Sequence, residues 1–186
     1  MHEQTLEIAV DLFWKQGVEQ TSYADLVLAS GLSRKALYRI WPDKSALVLD
    51  ALRHYVKGLQ SCMIEPFAKR GRAGLDAFGR AFVAGSETAE WNGCFLMRSA
   101  SGPLREDSAI AQLYASYVSS LVTMVAENIR MAHENGEWAD EPEPERTGRQ
   151  FVSLAVMLSV FASQPNQQKA MDEIRNDIRD LLFSAG

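Results

Sequence analysis

The residues best placed to do chemistry lie between Ser22 and Lys44: Ser22, Ser33, Arg34, Lys35, Tyr38, Arg39 and Lys44. All can donate hydrogen bonds and four are cations, so together they suit anionic oxygens and the acceptor edges of bases. At helical spacing Arg34, Tyr38, Lys35 and Arg39 fall on one arc of roughly 140°, with Ala36, Ile40, Leu37 and Trp41 opposite. One side can pack on a core while the other offers three cations and a phenol to a polyanion. Within Ser33–Lys44 there are four basic residues and one acidic. Residues 59–186, by contrast, carry twelve Lys/Arg against seventeen Asp/Glu and account for the whole net charge of −5. The positive charge is therefore local, and binding through it should depend strongly on salt.

The elements that must hold this arc are two short helices and a tight turn. Ser22 can cap the first helix, and Asp25 three residues on completes a capping-box pattern. Gly31 sits where left-handed backbone ends that helix. Ser33 can cap the second, and Leu32 is placed to pack on Leu37 in its second turn. Two helices, a Gly-containing turn and a cationic second helix describe a helix-turn-helix. An ordinary helical hairpin with a solvated basic face is the alternative. On the first reading the DNA-facing set is Ser22, Ser33, Arg34, Lys35, Leu37, Tyr38, Arg39 and Lys44. Arg34 or Lys35 can read guanine O6 and N7, while Lys44, Tyr38 and Ser22 position the unit on the backbone.

The rest of the chain also reads as helical. A first helix over 3–15 carries Leu6, Ala9, Val10 and Phe13 in one stripe and ends at Gly17. Asp43 can cap a helix from Lys44 to about Met63, which connects into the remainder. After it come a broken stretch around Pro66, a helix over 75–84, an irregular piece from Glu90 to Pro103 and a long helix from about Arg105 to Glu134. A Glu-, Asp- and Pro-rich loop over 137–149 leads to an apolar helix, Phe151–Phe161. The last helix covers about 166–184, with Arg175, Asp177, Arg179 and Asp180 on its polar face. No strand-like alternation and no internal repeat occur. The expected fold is all-α with about nine helices: a three-helix head over 1–46 that binds DNA, and a larger helical body over 47–186 for ligand binding and dimerisation.

Composition narrows the function classes. A hydrophobic fraction of 47% and a charged fraction of 23% suit a globular protein. No apolar run approaches the ~20 residues that span a bilayer. The Met-His-Glu-Gln start lacks the basic region of a signal peptide, and two cysteines, Cys62 and Cys94, fit free thiols in a reducing compartment. A cytoplasmic protein with no membrane partner is expected. His2, His54 and His133 are far apart, and the chain holds no HExxH, GxSxG or GxxxxGK[ST]. Neither catalysis nor a metal or cofactor is expected.

The head resembles the DNA-binding domain of the TetR family of transcriptional regulators. The likeness rests on Ala9, Leu12-Phe13 and Gly17; on Thr21-Ser22 and Asp25-Leu26; on Ala29-Ser30-Gly31-Leu32-Ser33; and on Leu37-Tyr38-Arg39-Ile40-Trp41 with Lys44-Ser45-Ala46-Leu47. It covers about residues 4–52. It implies a homodimer that binds a palindromic operator and represses transcription until a small molecule binds the body. It also implies that Tyr38 and Lys44 contact phosphate, and that Ser33, Arg34, Lys35 and Arg39 reach base edges and nearby backbone. The pattern departs at Trp41, where phenylalanine is commoner, and at the start, where many members carry a basic arm before the first helix. A helical ligand- or protein-binding module that has lost specific DNA recognition is the competing function.

In the body, Met63, Phe67, Phe78, Phe82, Trp91, Cys94, Phe95, Met97, Tyr114 and Tyr117 are expected to line an apolar pocket for a small effector, with Arg98, Ser99 and Ser101 as polar contacts. Plain core is the alternative for each. Cys94 is a candidate redox or electrophile sensor if Arg98, one turn away, lowers its pKa. The last two helices, through Phe151, Leu154, Leu158, Phe161, Met171, Ile174, Ile178 and Leu181, are expected to pack against a second copy. The alternative makes Phe151–Phe161 the central core helix of a monomer.

Overall fold

The computed structural model describes residues 2–138 and 143–183. Among them are nine α-helices and no strand. The head comprises α1 (His2–Gln16), α2 (Tyr23–Ser30) and α3 (Arg34–Ile40). Its caps form as local chemistry dictates. The Ser22 hydroxyl accepts from the Asp25 amide and the Asp25 carboxylate accepts from the Ser22 amide, which closes the capping box. Gly31 ends α2 at φ 67°, and the Ser33 hydroxyl accepts from the Ala36 amide to open α3. Leu6, Phe13, Leu26, Leu37 and Trp41 are buried between the three helices. Trp41 occupies the core by leaving the helix: its backbone is extended, and its indole N–H donates to Asp50 at 3.0 Å. That break leaves Ile40, expected on the buried arc, 38% exposed.

Asp43 caps α4 (Lys44–Leu59), which packs along α1 and carries the chain out of the head. A π turn over Gln60–Ile64 and a 3-10 turn over Glu65–Phe67 then bend it into α5 (Gly71–Ser86). The remainder is α6 (Phe95–Ser101), a 3-10 turn over Pro103–Glu106, α7 (Ser108–Glu134), α8 (Pro144–Phe161) and α9 (Gln168–Phe183). Helix α7 packs on α5 and α8, and α9 closes over α5 and α8. Buried Asn128 on α7 ties the corner before α5. Its carbonyl oxygen accepts from the Arg70 amide at 2.9 Å, and its amide donates to the Phe67 and Met124 carbonyls at 3.0 and 2.8 Å. A buried amide with its hydrogen bonds satisfied in this way costs little and fixes the register of what it joins.

Several expectations are corrected here. Phe95–Ser101, expected as part of an irregular piece, is helical. The helix expected to begin near Phe151 begins at Pro144, because Glu143 caps it and proline suits the first helical position. Residues 139–142 of the acidic loop, and Ser184 at the end of the last helix, lie outside the described residues. Arg175, placed on the polar face of the last helix, is buried: it donates to the hydroxyl and carbonyl of Ser86 and pairs with Asp172. It thereby satisfies the carbonyl end of α5, where a cation complements the helix dipole. Finally, Ser108–Glu134 is long and apolar enough to cross a membrane by length and composition. In this fold Ile110, Leu121, Val125 and Ile129 of that helix are buried among its neighbours.

Candidate nucleic-acid interface and effector cavity

Helix α3 presents the cationic arc to the outside. Ser33, Arg34, Lys35 and Arg39 are exposed, and Tyr38 is 40% exposed. The cations are not left to sweep freely. Tyr38 stacks on Tyr23 of α2 with centroids 4.6 Å apart, and the Arg34 guanidinium lies 5.6 and 5.7 Å from the two ring centres. Arg34 also donates to the Tyr38 hydroxyl at 3.5 Å. Two phenol rings thus orient one guanidinium, a cation–π arrangement that restricts its rotamers before any partner arrives. The half-buried Lys44 donates to the Glu19 carbonyl at 3.5 Å. That contact holds its ammonium at the start of α4, beside the turn between α1 and α2.

Two residues of the DNA-facing set sit differently. Leu37 is buried in the head core and cannot reach a nucleic acid; it holds α3 against α1 and α2. Ser22 is exposed, but its hydroxyl is engaged with Asp25, donating at 2.7 Å and accepting from the Asp25 amide. The Ser22 backbone N–H and then its hydroxyl, both donating to the Asp25 carboxylate, keep that carboxyl below its ordinary range.

In the body the residues expected in one pocket divide between two cavities. The apolar cavity, about 130 Å³, is walled by Tyr55, Leu59, Met63, Phe78, Ala81, Phe82, Gly85, Trp91, Cys94, Met97, Tyr117 and Leu121. Of the expected residues it holds Met63, Phe78, Phe82, Trp91, Cys94, Met97 and Tyr117. It adds Tyr55 and Leu121, which sequence reasoning misses because each reads as ordinary core at helical spacing. Phe95, Arg98, Ser99 and Ser101 instead line a separate crevice of about 330 Å³ between head and body, together with Phe13, Gly17 and Val160. Phe67 and Tyr114 line neither; Phe67 packs edge-on against Phe78.

Arg98 makes a different contribution from the one expected. One guanidinium nitrogen donates to the carbonyls of Trp14 and Asn92 at 3.1 and 2.7 Å. Asn92 donates to the Trp14 carbonyl at 2.7 Å, and the Trp14 indole donates to the Gly93 carbonyl at 2.6 Å. Three of these bonds fasten the last turn of α1, in the head, to Asn92, Gly93 and Arg98, and the fourth braces Arg98 on the segment that precedes α6. The segment 91–94 looks two ways, its outer residues toward the cavity and its inner two toward the head. Trp91 and Cys94 face the apolar cavity, while Asn92 and Gly93 hold the head. Gly93 is also pressed on α8: a Cβ there would lie 2.2 Å from the Ser159 carbonyl oxygen.

Cys94 is not an activated thiol. Burial pushes its pKa up, and the hydrogen bonds to Met97, Tyr55 and Leu96 and the charge of Arg98 only partly oppose that. Tyr55 and Tyr117 are likewise pushed up by burial.

Residues 6–51 match the family model described as bacterial regulatory proteins, tetR family. Among curated proteins the chain is 25% identical over 135 residues to the HTH-type transcriptional regulator YezE of Bacillus subtilis, covering 71% of this chain and 70% of that one. It is 23% identical over 189 residues to the HTH-type transcriptional regulator LuxR of Vibrio harveyi, covering 97% and 87%. Among solved structures, a cysteine mutant of the TetR family regulator CifR, complexed with 26-base-pair operator DNA, superimposes with a TM-score of 0.77 at 22% identity, covering 100% of this chain and 97% of that one.

Proposed function

We propose that this chain, whose residues 6–51 match the model of the tetR family of bacterial regulatory proteins, is a homodimeric repressor of a palindromic operator, released when a small molecule enters the apolar cavity. The head, 1–46, carries recognition; the body, 47–186, carries effector binding and dimerisation. The observation that carries the reading is the two-faced α3, with Leu37 buried while Arg34, Lys35, Tyr38 and Arg39 stand outward.

In this reading α3 enters the major groove. Arg34, held by the Tyr23–Tyr38 stack, and Lys35 reach base edges. Tyr38, Arg39 and Lys44 meet phosphates and set the register, as do Ser33 and Ser22 through the amides at the two helix starts that they cap. Release depends on the two-way segment 91–94. An effector that displaces Trp91 or Cys94 moves the Asn92 and Gly93 carbonyls that hold Arg98 and Trp14, and with them the head. Two heads whose spacing must match an operator are sensitive to such a shift.

Selection of bound DNA from a random pool, repeated with apolar candidate effectors, tests the reading. A palindrome with half-sites about 34 Å apart, or a multiple of it, is expected. Tyr38→Ala and Lys44→Ala should weaken binding to all sequences, and each lost phosphate contact should lower the salt slope by about one. Arg34→Ala or Lys35→Ala should relax base preference at one position by about 1–3 kcal/mol. A protein that shows no preference for any sequence over random DNA at moderate salt would instead be a helical binding module without specific recognition.

A further inference from the structure

Within the apolar cavity one polar group stands apart. Tyr117 is 6% exposed, and its hydroxyl, on the cavity wall, makes no hydrogen bond with any described residue. Its neighbour Tyr55 is already engaged, accepting from the Phe95 amide at 3.4 Å. A phenol that lines the cavity without a partner among the described residues leaves a hydrogen bond that a guest can supply. Among the described residues no charged side chain lines the cavity, since Arg98 lies in the separate crevice and is occupied by two carbonyls. A carboxylate or ammonium here would be desolvated with nothing to pair with, which is prohibitively unfavourable. Size sets the remaining bound. The cavity is about 130 Å³, below the ~300 Å³ at which drug-sized ligand sites begin and close to the ~150 Å³ apolar cavity that accepts benzene.

We propose that this cavity takes a neutral, single-ring aromatic molecule bearing one hydroxyl or carbonyl oxygen, and that Tyr117 selects it by hydrogen bonding to that oxygen. The flat faces of Phe78, Phe82 and Trp91 enclose the ring, and the sulfurs of Met63 and Met97 adapt to its edge. Tyr117 is the specificity-determining residue. An unsubstituted ring fits the same space but leaves the phenol unpaired.

The inference deepens the effector reading of this cavity and can be tested apart from it. Phenol, toluene and benzoate are titrated into the 15N-labelled chain of 186 residues and followed by amide shifts around α5 and α7. Phenol is expected to bind more tightly than toluene, and benzoate not to bind. Tyr117→Phe should leave toluene affinity unchanged and cut the phenol-to-toluene ratio by about five- to tenfold, the contribution of one hydrogen bond. Ala81→Leu, which fills the cavity, should abolish binding of both. A ratio that Tyr117→Phe leaves unchanged overturns the proposal. So does benzoate binding as tightly as phenol, a comparison that needs no variant, and so does failure of all three to bind. Phenol that binds as described without altering operator affinity sinks the effector reading and leaves this one standing.

Discussion

Cys62 and Cys94 present one chemical group in two settings. Cys62 is exposed after α4, whereas Cys94 is enclosed beside Tyr55 and Tyr117 with its pKa pushed up by burial. The thiolate is the reactive form, so iodoacetamide near neutral pH should alkylate Cys62 and leave Cys94 at least about tenfold slower. Mass spectrometry of the two peptides reads the difference, and equal rates would refute it. The same burial carries a sign for stability. Cys94, Tyr55 and Tyr117 all ionise at higher pH in the folded chain than their ordinary values of 9.0 and 10.0. They stabilise the fold fully below those values, and that stability is lost as pH climbs past them, because the unfolded chain releases its protons first. The urea midpoint should therefore fall on the alkaline side of about pH 9, and less steeply in Tyr117→Phe, which removes one of the three groups. An identical slope in that variant would show that Tyr117 is not ionising on unfolding.

At the scale of elements, the part of the fold legible in the chain is the part that a single turn decides. Ser22 with Asp25, Gly31, Ser33 and Asp43 fix their helix ends through atoms three or four residues away, so their types and spacing suffice. Pro144 misleads because the residue type that breaks a helix interior also opens a helix, and only the Glu143 cap decides between the two. Arg98, Asn128 and Arg175 are beyond such reasoning because their partners lie 84, 58 and 89 residues away. A polar residue at a core-facing position is visible in a sequence; the carbonyl it will satisfy is not. Contacts of this long-range kind make the segment before α6 sensitive to small changes. Gly93 combines φ 76° with the Ser159 carbonyl directly above it, so Gly93→Ala is both strained and obstructed. It should cost about 2–4 kcal/mol, seen as a lower urea midpoint with an unchanged slope. Trp14→Phe keeps an aromatic ring and deletes only the donation to Gly93, so it should cost about 1 kcal/mol. It should also speed amide exchange in the last turn of α1. If exchange there is unaltered, the indole is not what holds the head.

At the scale of the whole molecule, the proposed homodimer raises the question of which surface would make the pair. Of the eight apolar residues expected to meet a second copy, Phe151, Leu158, Met171, Ile174 and Ile178 are buried within one chain. They cannot also be the interface. Leu154, Phe161 and Leu181 remain half-buried, and Met157, not among those expected, is 46% exposed. Leu154, Met157 and Phe161 recur at three and four residues, so they form one outward stripe on α8. Beside it runs a groove of about 550 Å³ lined by Arg146 and Arg149 on α8 and by Asp177 and Asp180 on α9. A two-fold axis through this face would bring the cations of each copy toward the carboxylates of the other around an apolar centre, which is the self-complementarity an isologous contact needs. Met157→Asp places a charge at that centre without touching the core. Sedimentation or light scattering should then find a single 20.7 kDa chain where the parent gives twice that mass, with helicity and thermal midpoint of the body retained. Operator affinity should fall by about 10²-fold or more, because the second head no longer binds as part of the same molecule. A variant that stays dimeric would move the interface elsewhere. One that becomes monomeric yet binds operator as tightly as the parent would show that a single head, with its four cations and no second copy, is sufficient.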